Sequence, residues 1–219
     1  MDRLGNVSHF PVGITPVHIN YRLYGSIPQA ELKRIQLLRR SATADMKRQF
    51  GKLSDQHFAE ASKQEMARID RMVEAKMEHT LHQSGSGPMY LRQPELRDTV
   101  LASWQFLHQR KELVLYAACL MSNHVHAIVS NINRQESLAI GQLMSRHKTF
   151  TAGQANKLLQ RSGQPFWERQ YFDRTVRDGK FLTAMWYVLN NPVKAHLVER
   201  WQDWPGTFVN PLYLSHFTE

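Results

Sequence analysis

Residues Glu112–Ser130, ELVLYAACLMSNHVHAIVS, set the frame for the sequence around them. Glu112–Met121 reads as a buried strand, Met121-Ser122-Asn123 as a tight connection, and Val125–Val129 as the antiparallel hairpin partner. Inside this hairpin His124 and His126 stand two apart. Residues two apart on a strand project to the same face, so both imidazoles can reach one ion while Val125 enters the core. Neutral imidazole is a good ligand for divalent metals, and its ordinary pKa near 6.5 keeps it neutral at pH 7. With eleven histidines in the chain such a pair also arises by chance. Its place at the head of a strand, in an otherwise apolar hairpin, singles this one out.

Outward from the hairpin, Val17–Tyr24 (VHINYRLY) reads as a strand that ends in a turn at Gly25-Ser26-Ile27-Pro28. From Gln29 to Gln83 the texture is charged and helical. Leu32, Ile35 and Leu38 form one apolar stripe, and Phe58, Met66, Ile69, Val73 and Met77 a second. Gly51 and Ser54-Asp55 separate the two, and His82–Pro88 breaks the segment off. Pro94 opens a helix through Leu96, Val100, Trp104 and Leu107. Gln135–Gln160 reads as a helix loosened around Gly153, Tyr171–Val176 as a fourth strand, and Asp178–Asn190 as a helix stopped by Pro192. Outside the helical hairpin the order is β-α-β-β-α-β and a final helix. That is the ferredoxin-like order: an α+β fold with an antiparallel sheet and helices on one face. One domain is expected over residues 1–219, with the helical insertion at about 29–83 after the first strand.

The chain is 42% hydrophobic, enough to bury a core, and no apolar run nears the roughly 18 residues of a membrane span. The start, MDRLGNVSHFPVG, lacks the apolar stretch of a secretory leader. A cytoplasmic, nucleoid-associated protein with no membrane partner is the expectation. The single cysteine, Cys119, excludes an internal disulfide framework. A net charge of +9 and a pI near 9.8 point to a polyanionic partner, nucleic acid ahead of anionic lipid.

Two histidines need a third ligand. Tyr187 and Asn191 are four apart, so a phenol and an amide oxygen can share one helical face. The residue before proline is disfavoured in helical geometry, which puts Asn191 at a frayed end ahead of Pro192. On their own, Tyr187 also reads as an aromatic packing residue and Asn191 as a cap.

LMSNHVHAIVS (Leu120–Ser130) resembles the HUH signature of single-tyrosine transposases, with Ser122 where proline is usual, a departure that should alter only the turn. PFWERQYFDRTVRD (Pro165–Asp178) and WYVLNNPVKAHLV (Trp186–Val198) resemble the two C-terminal blocks of the REP-associated tyrosine transposases, relatives of the smallest insertion-sequence transposases. The order and spacing of the blocks fit over roughly Val17–Trp204, with the helical hairpin as the variable part. The resemblance implies Tyr187 as nucleophile, four residues before Asn191. Tyr171, in the other block, is the rival.

It further implies a metal-dependent single-strand DNA endonuclease and strand-transferase that forms a 5′-phosphotyrosine. Mg²⁺ or Mn²⁺ would be held by His124, His126 and Asn191, and the substrate would be single-stranded or hairpin repeat DNA. Arg134–Lys180 carries nine Lys or Arg against four acids, interleaved with His147, Phe150, Phe166, Trp167, Tyr171 and Phe172. Basic groups track phosphates and aromatics stack on unpaired bases. Lys148, Trp167, Tyr171, Arg174 and Arg177 are the expected DNA contacts. The eleven basic and eight acidic residues of the helical hairpin assign it no role. Two alternatives remain open from sequence: a hairpin-DNA-binding relative without turnover, and a water-using metal phosphoesterase. A monomer and a homodimer are equally compatible with the sequence.

Overall fold

The computed structural model describes residues 11–12, 15–51, 55–83, 87–132 and 138–218. The expected helix start at Ser54, residues 84–86 of the break, and residues 134–137 of the basic stretch lie outside the described residues.

Helices α1 (Gln29–Phe50) and α2 (Asp55–Gln83) form one compact unit. Ile35 and Met46 of α1 are buried, as are Ile69, Val73, Met77 and Leu81 of α2. An Arg39–Asp70 ion pair of 2.8 Å ties the two helices. Leu38, at the edge of the predicted stripe, faces solvent.

The second unit is built on a sheet. Its elements are β1 (Pro11–Val12), β2 (Val17–Leu23), α3 (Pro94–Gln109), β3 (Val114–Leu120), β4 (His124–Ser130), β5 (Leu138–Ala139), α4 (Ile140–Leu158), β6 (Trp167–Thr175), α5 (Phe181–Leu189), the single turn α6 (Asn191–Lys194) and β7 (Thr207–Val209). β1 and β5 pair as a short antiparallel ribbon. The other five strands form one antiparallel sheet in the order β6-β2-β4-β3-β7. Leaving out β7, this is the strand order that β-α-β-β-α-β connectivity predicts.

Strand alternation divides the side chains between two cores. Val17, Ile19, Tyr21 and Leu23 of β2, with Val125, Ala127 and Val129 of β4, pack against Leu96, Val100, Trp104 and Leu107 of α3 and Leu143 and Met144 of α4. On the opposite face, Ala117 and Cys119 of β3 and Ile128 of β4 meet Met185, Val188 and Leu189 of α5. The two crossover helices therefore share one face, and the final helix covers the other.

The structure departs from the sequence reading at several places: Leu138–Ala139, expected inside the helix from Gln135, is the strand β5 paired with β1, and α4 begins at Ile140. α4 runs unbroken through Gly153, because buried Thr151 and Ala155 anchor the turns around it and offset the roughly 1 kcal/mol a helical glycine costs. β6 begins at Trp167 rather than Tyr171, across a register shift opposite Tyr21 and Leu23. β7 is only three residues long, too short to leave a periodic signal.

The helical-face core contains a chain of polar groups. The Trp104 indole N–H donates to Tyr21 Oη (2.9 Å), so the Tyr21 hydroxyl proton goes to His147 Nε2 at 2.6 Å. His147 must then carry its proton on Nδ1, which lies 2.9 Å from Ser103 Oγ. Burial, with Lys148 next in sequence, pushes the His147 pKa from its ordinary 6.5 down to about 3. Lys148 points the other way. Its Nζ donates to the carbonyl oxygens of Glu168 (2.5 Å) and Arg169 (2.9 Å), fastening α4 to β6, and lies 5.8 Å from the Tyr171 ring centroid.

Two predictions follow from these contacts. The folded-state pKa of His147 lies below its unfolded value, so the unfolded chain takes up the proton first as pH falls. Stability should drop from about pH 6.5 towards pH 3, by up to about 1.4 kcal/mol per pH unit from this site. Urea unfolding at pH 7 and pH 5 should give a smaller pH effect in His147→Gln than in wild type; equal effects would assign the acid sensitivity elsewhere. Lys148→Met should lower stability by about 1.5–3 kcal/mol, the range for hydrogen bonds to a charged group. An unchanged melting curve would show that the clamp carries no load.

Candidate functional site

His124 and His126 are the first and third residues of β4, the central strand, and both are completely buried. Across the sheet His124 pairs with Arg22, and His126 with Asn20 on one side and Cys119 on the other. The turn before them is pinned by three elements. Leu23 N–H donates to Asn123 O (2.8 Å), Leu91 N–H to Ser122 O (3.2 Å), and Leu120 N–H to Gly206 O (2.8 Å). Gly206 is required there, since a Cβ would lie 2.4 Å from Leu120 O.

The two imidazoles meet edge to face, 4.9 Å between centroids. His124 Nδ1 donates to Asn123 Oδ1 at 2.7 Å, which leaves the lone pair on its buried Nε2. His126 Nδ1 lies 3.0 Å from Nε2 of His18, a residue of β2 whose side chain shares this face. Burial, with Arg174 and Lys194 nearby, pushes the His18 pKa down to about 3 and keeps that ring neutral.

Helix α5 brings Tyr187 to the same place. Met185, Val188 and Leu189 dock the helix on the sheet, and the half-buried Tyr187 ring stands edge-on to His126 (6.1 Å) and His18 (5.7 Å). Pro192 has no N–H for the carbonyl four residues back, that of Val188. The Asn191 side chain takes over: its Nδ2 donates to Val188 O (3.2 Å) and Tyr187 O (2.9 Å). This fixes the amide so that Oδ1, buried and without a hydrogen-bond partner among the described residues, is its one open valence. Asn191 is not at a frayed end: the helix is interrupted at Asn190 and Asn191 begins the next helical turn, its amide oriented by these two bonds. Beyond it, Lys194 places its ammonium 3.8 Å from the centroid of the Tyr187 ring, close enough to stabilise negative charge on the phenol.

The residues expected to contact DNA fall into two groups. Arg174 and Arg177 are exposed, and Arg174 sits opposite His18 in the β2–β6 register, on the face of the histidines. Lys148 is held by backbone carbonyls. Trp167 and Tyr171 are only 7% and 6% exposed and belong to the core under α3 and α4, on the opposite face from His124, His126 and Tyr187. The Trp167 indole is committed to Thr151 Oγ1 at 2.8 Å, and burial raises the Tyr171 pKa above its ordinary value. A groove of about 810 Å³ between α3 and α4, lined by Phe106, Arg146 and Phe150, also lies away from the histidines.

His18 and Lys194 were not singled out from sequence, yet both leave a signal. His18 alternates with the core residues Val17 and Ile19, which assigns it the His126 face. Lys194 follows Tyr187 by two helical turns. Among the described residues no group of three or more His, Cys, Asp or Glu is arranged to hold a metal ion. Nor is any helix there long and apolar enough to cross a membrane.

No curated protein sequence matches the chain. Its fold is shared with a solved structure, a REP-associated tyrosine transposase bound to a REP hairpin. The TM-score is 0.51 at 10% sequence identity, over 99% of this chain and 89% of that one. Residues 90–191, from the turn before α3 to Asn191, match the model of the family described as IS200-like transposases. Over that segment the chain is similar to the IS200-like transposases.

Proposed function

We propose that the protein is a metal-dependent single-strand DNA endonuclease and strand-transferase that cuts hairpin-containing repeat DNA through a covalent 5′-phosphotyrosine at Tyr187. The observation that carries this reading is the convergence of Tyr187, His124 and His126 on one face of the sheet, with the buried Oδ1 of Asn191 one helical turn beyond Tyr187. Nε2 of each histidine and Oδ1 of Asn191 would hold Mg²⁺ or Mn²⁺. With no carboxylate in the set, the protein alone would hold a hard cation weakly, and DNA phosphate oxygens suit the remaining positions. When bound, the ion supplies positive charge that draws electron density from the scissile phosphate and orients its oxygens.

The Tyr187 phenol, ordinarily with a pKa near 10, is a poor nucleophile at neutral pH. Lys194 over the ring favours the phenolate. Attack forms the Tyr187 Oη–phosphorus bond and breaks the bond from phosphorus to the 3′-oxygen; the phenol proton is lost and the departing 3′-oxygen takes one up. The phosphodiester energy stays in the protein–DNA bond, so attack by another 3′-hydroxyl rejoins strands and frees the tyrosine. Arg174 and Lys194 give this face a positive field that attracts the phosphate backbone. The hairpin bound in the solved structure of similar fold supports a hairpin-forming single strand as the substrate here.

Tyr187→Phe should keep its affinity for a hairpin with a single-stranded tail and give no covalent protein–DNA band on a denaturing gel. A band lost in Tyr171→Phe but kept in Tyr187→Phe would reassign the nucleophile. A hairpin bound but never cut by wild type would reduce the protein to a binding module, and cutting without a covalent band would make water the nucleophile.

His124→Ala and His126→Ala should each abolish cutting, and wild type should stop in EDTA and resume with Mn²⁺. For Asn191→Ala the Mn²⁺ concentration for half-maximal cutting should rise on the order of tenfold, equivalent to about 1.4 kcal/mol. Cutting at full rate in chelator would remove the metal from this account.

A further inference from the structure

We infer that His18 is a positioning residue for the metal site, accepting the Nδ1 proton of His126 and so fixing that ligand in the tautomer that presents Nε2. The inference rests on the proposed metal role of His126, and it adds a residue outside the H-x-H hairpin. His18 Nε2 and His126 Nδ1 are 3.0 Å apart, both rings are buried, and the residues lie 108 positions apart in the chain. The ring planes are 7° from parallel with centroids 5.2 Å apart. The 3.0 Å contact accounts for that separation once a ring radius is added at each end. The nitrogens therefore meet nearly along the line joining the rings, the alignment an N–H···N bond needs.

Only one proton fits between two nitrogens, and its owner decides what the far side of His126 can do. If His18 donated it, neutral His126 would carry its proton on Nε2 and could not ligate. If His126 donates it, Nε2 holds the lone pair. The partner imidazole has the same arrangement: His124 Nδ1 faces an amide oxygen, which can only accept, and so must donate. Asn123 and His18 thus act as matching acceptors behind the two ligands, the arrangement that fixes ring orientation and raises ligand basicity at metal centres. His18 also lies edge-on to Tyr187 at 5.7 Å, so the ring that orients His126 packs against the proposed nucleophile.

Two readouts on the full, DNA-free chain test this. Long-range ¹H–¹⁵N correlation spectra of the metal-free wild type should show His126 protonated on Nδ1; an Nε2-protonated His126 would overturn the inference with no variant needed. Mn²⁺ binding, followed by electron paramagnetic resonance, should weaken about 10–100-fold in His18→Phe, the usual loss when such a supporting partner is removed. His18→Gln, whose carbonyl oxygen can still accept, should recover most of the affinity. Equal Mn²⁺ affinity in wild type and folded His18→Phe overturns the role of His18 alone, as does His18→Gln binding no better than His18→Phe. Wild type that takes up no Mn²⁺ overturns the metal reading itself, and the role of His18 with it.

Discussion

The register of β4 is the constraint on which the rest depends. Side chains on a strand alternate with a period of two, so a slip of one residue would exchange the faces. Val125 would then stand where the imidazoles now converge, and His124 and His126 would enter the apolar core beneath α3 and α4. Pairing on both sides opposes that slip, with Asn20 and Cys119 flanking His126. So does the pinned turn at Met121–Asn123, held by backbone bonds from Leu23 and Leu91 and, one residue earlier, from Leu120 to Gly206. The Trp204 indole adds a bond to Leu120 O at 2.8 Å. Segments far apart in sequence thus share the task of placing two side chains.

Small residues on β3 complete the arrangement. Ala117 and Cys119 present little bulk to α5, so that helix can pack closely through Met185, Val188 and Leu189. The end of α5 and the central strand then face each other, and the proposed functional groups sit on these elements rather than on loops. The Pro192 break belongs to this design. In a continuous helix the backbone N–H of residue 192 would have satisfied the Val188 carbonyl, which the Asn191 amide now takes over. With the break in place, one side chain repairs the helix end and leaves its oxygen buried without a hydrogen-bond partner among the described residues.

The features legible in sequence were those written in local periodicity. The two-residue spacing of His124 and His126 gave their shared face, the four-residue spacing of Tyr187 and Asn191 gave theirs, and the alternation of strand and helix patterns gave the sheet order. What could not be read depends on contacts between distant segments. The hydrogen bond between His126 and His18 spans 108 positions, and β7 has no pattern of its own. Composition was the least discriminating guide. Trp167 and Tyr171 sit among basic residues as stacking platforms would, yet β6 turns both into the core. Lys148 has the sequence context of a phosphate contact, while its ammonium is used by two backbone carbonyls. Arg174 differs from these by facing the histidine side of the sheet, a distinction that requires the β2–β6 register.

The central claim is that the Tyr187 oxygen becomes bonded to DNA beside the His124 and His126 pair. Peptide mapping by mass spectrometry tests it most directly. Wild-type protein would be incubated with Mn²⁺ and a hairpin carrying a single-stranded tail, then digested with nuclease and trypsin. The account predicts a nucleotide joined through its 5′-phosphate to Tyr187, in a quantity that disappears when the ion is chelated. The same mass on Tyr171, or cut DNA with no modified peptide, would contradict it.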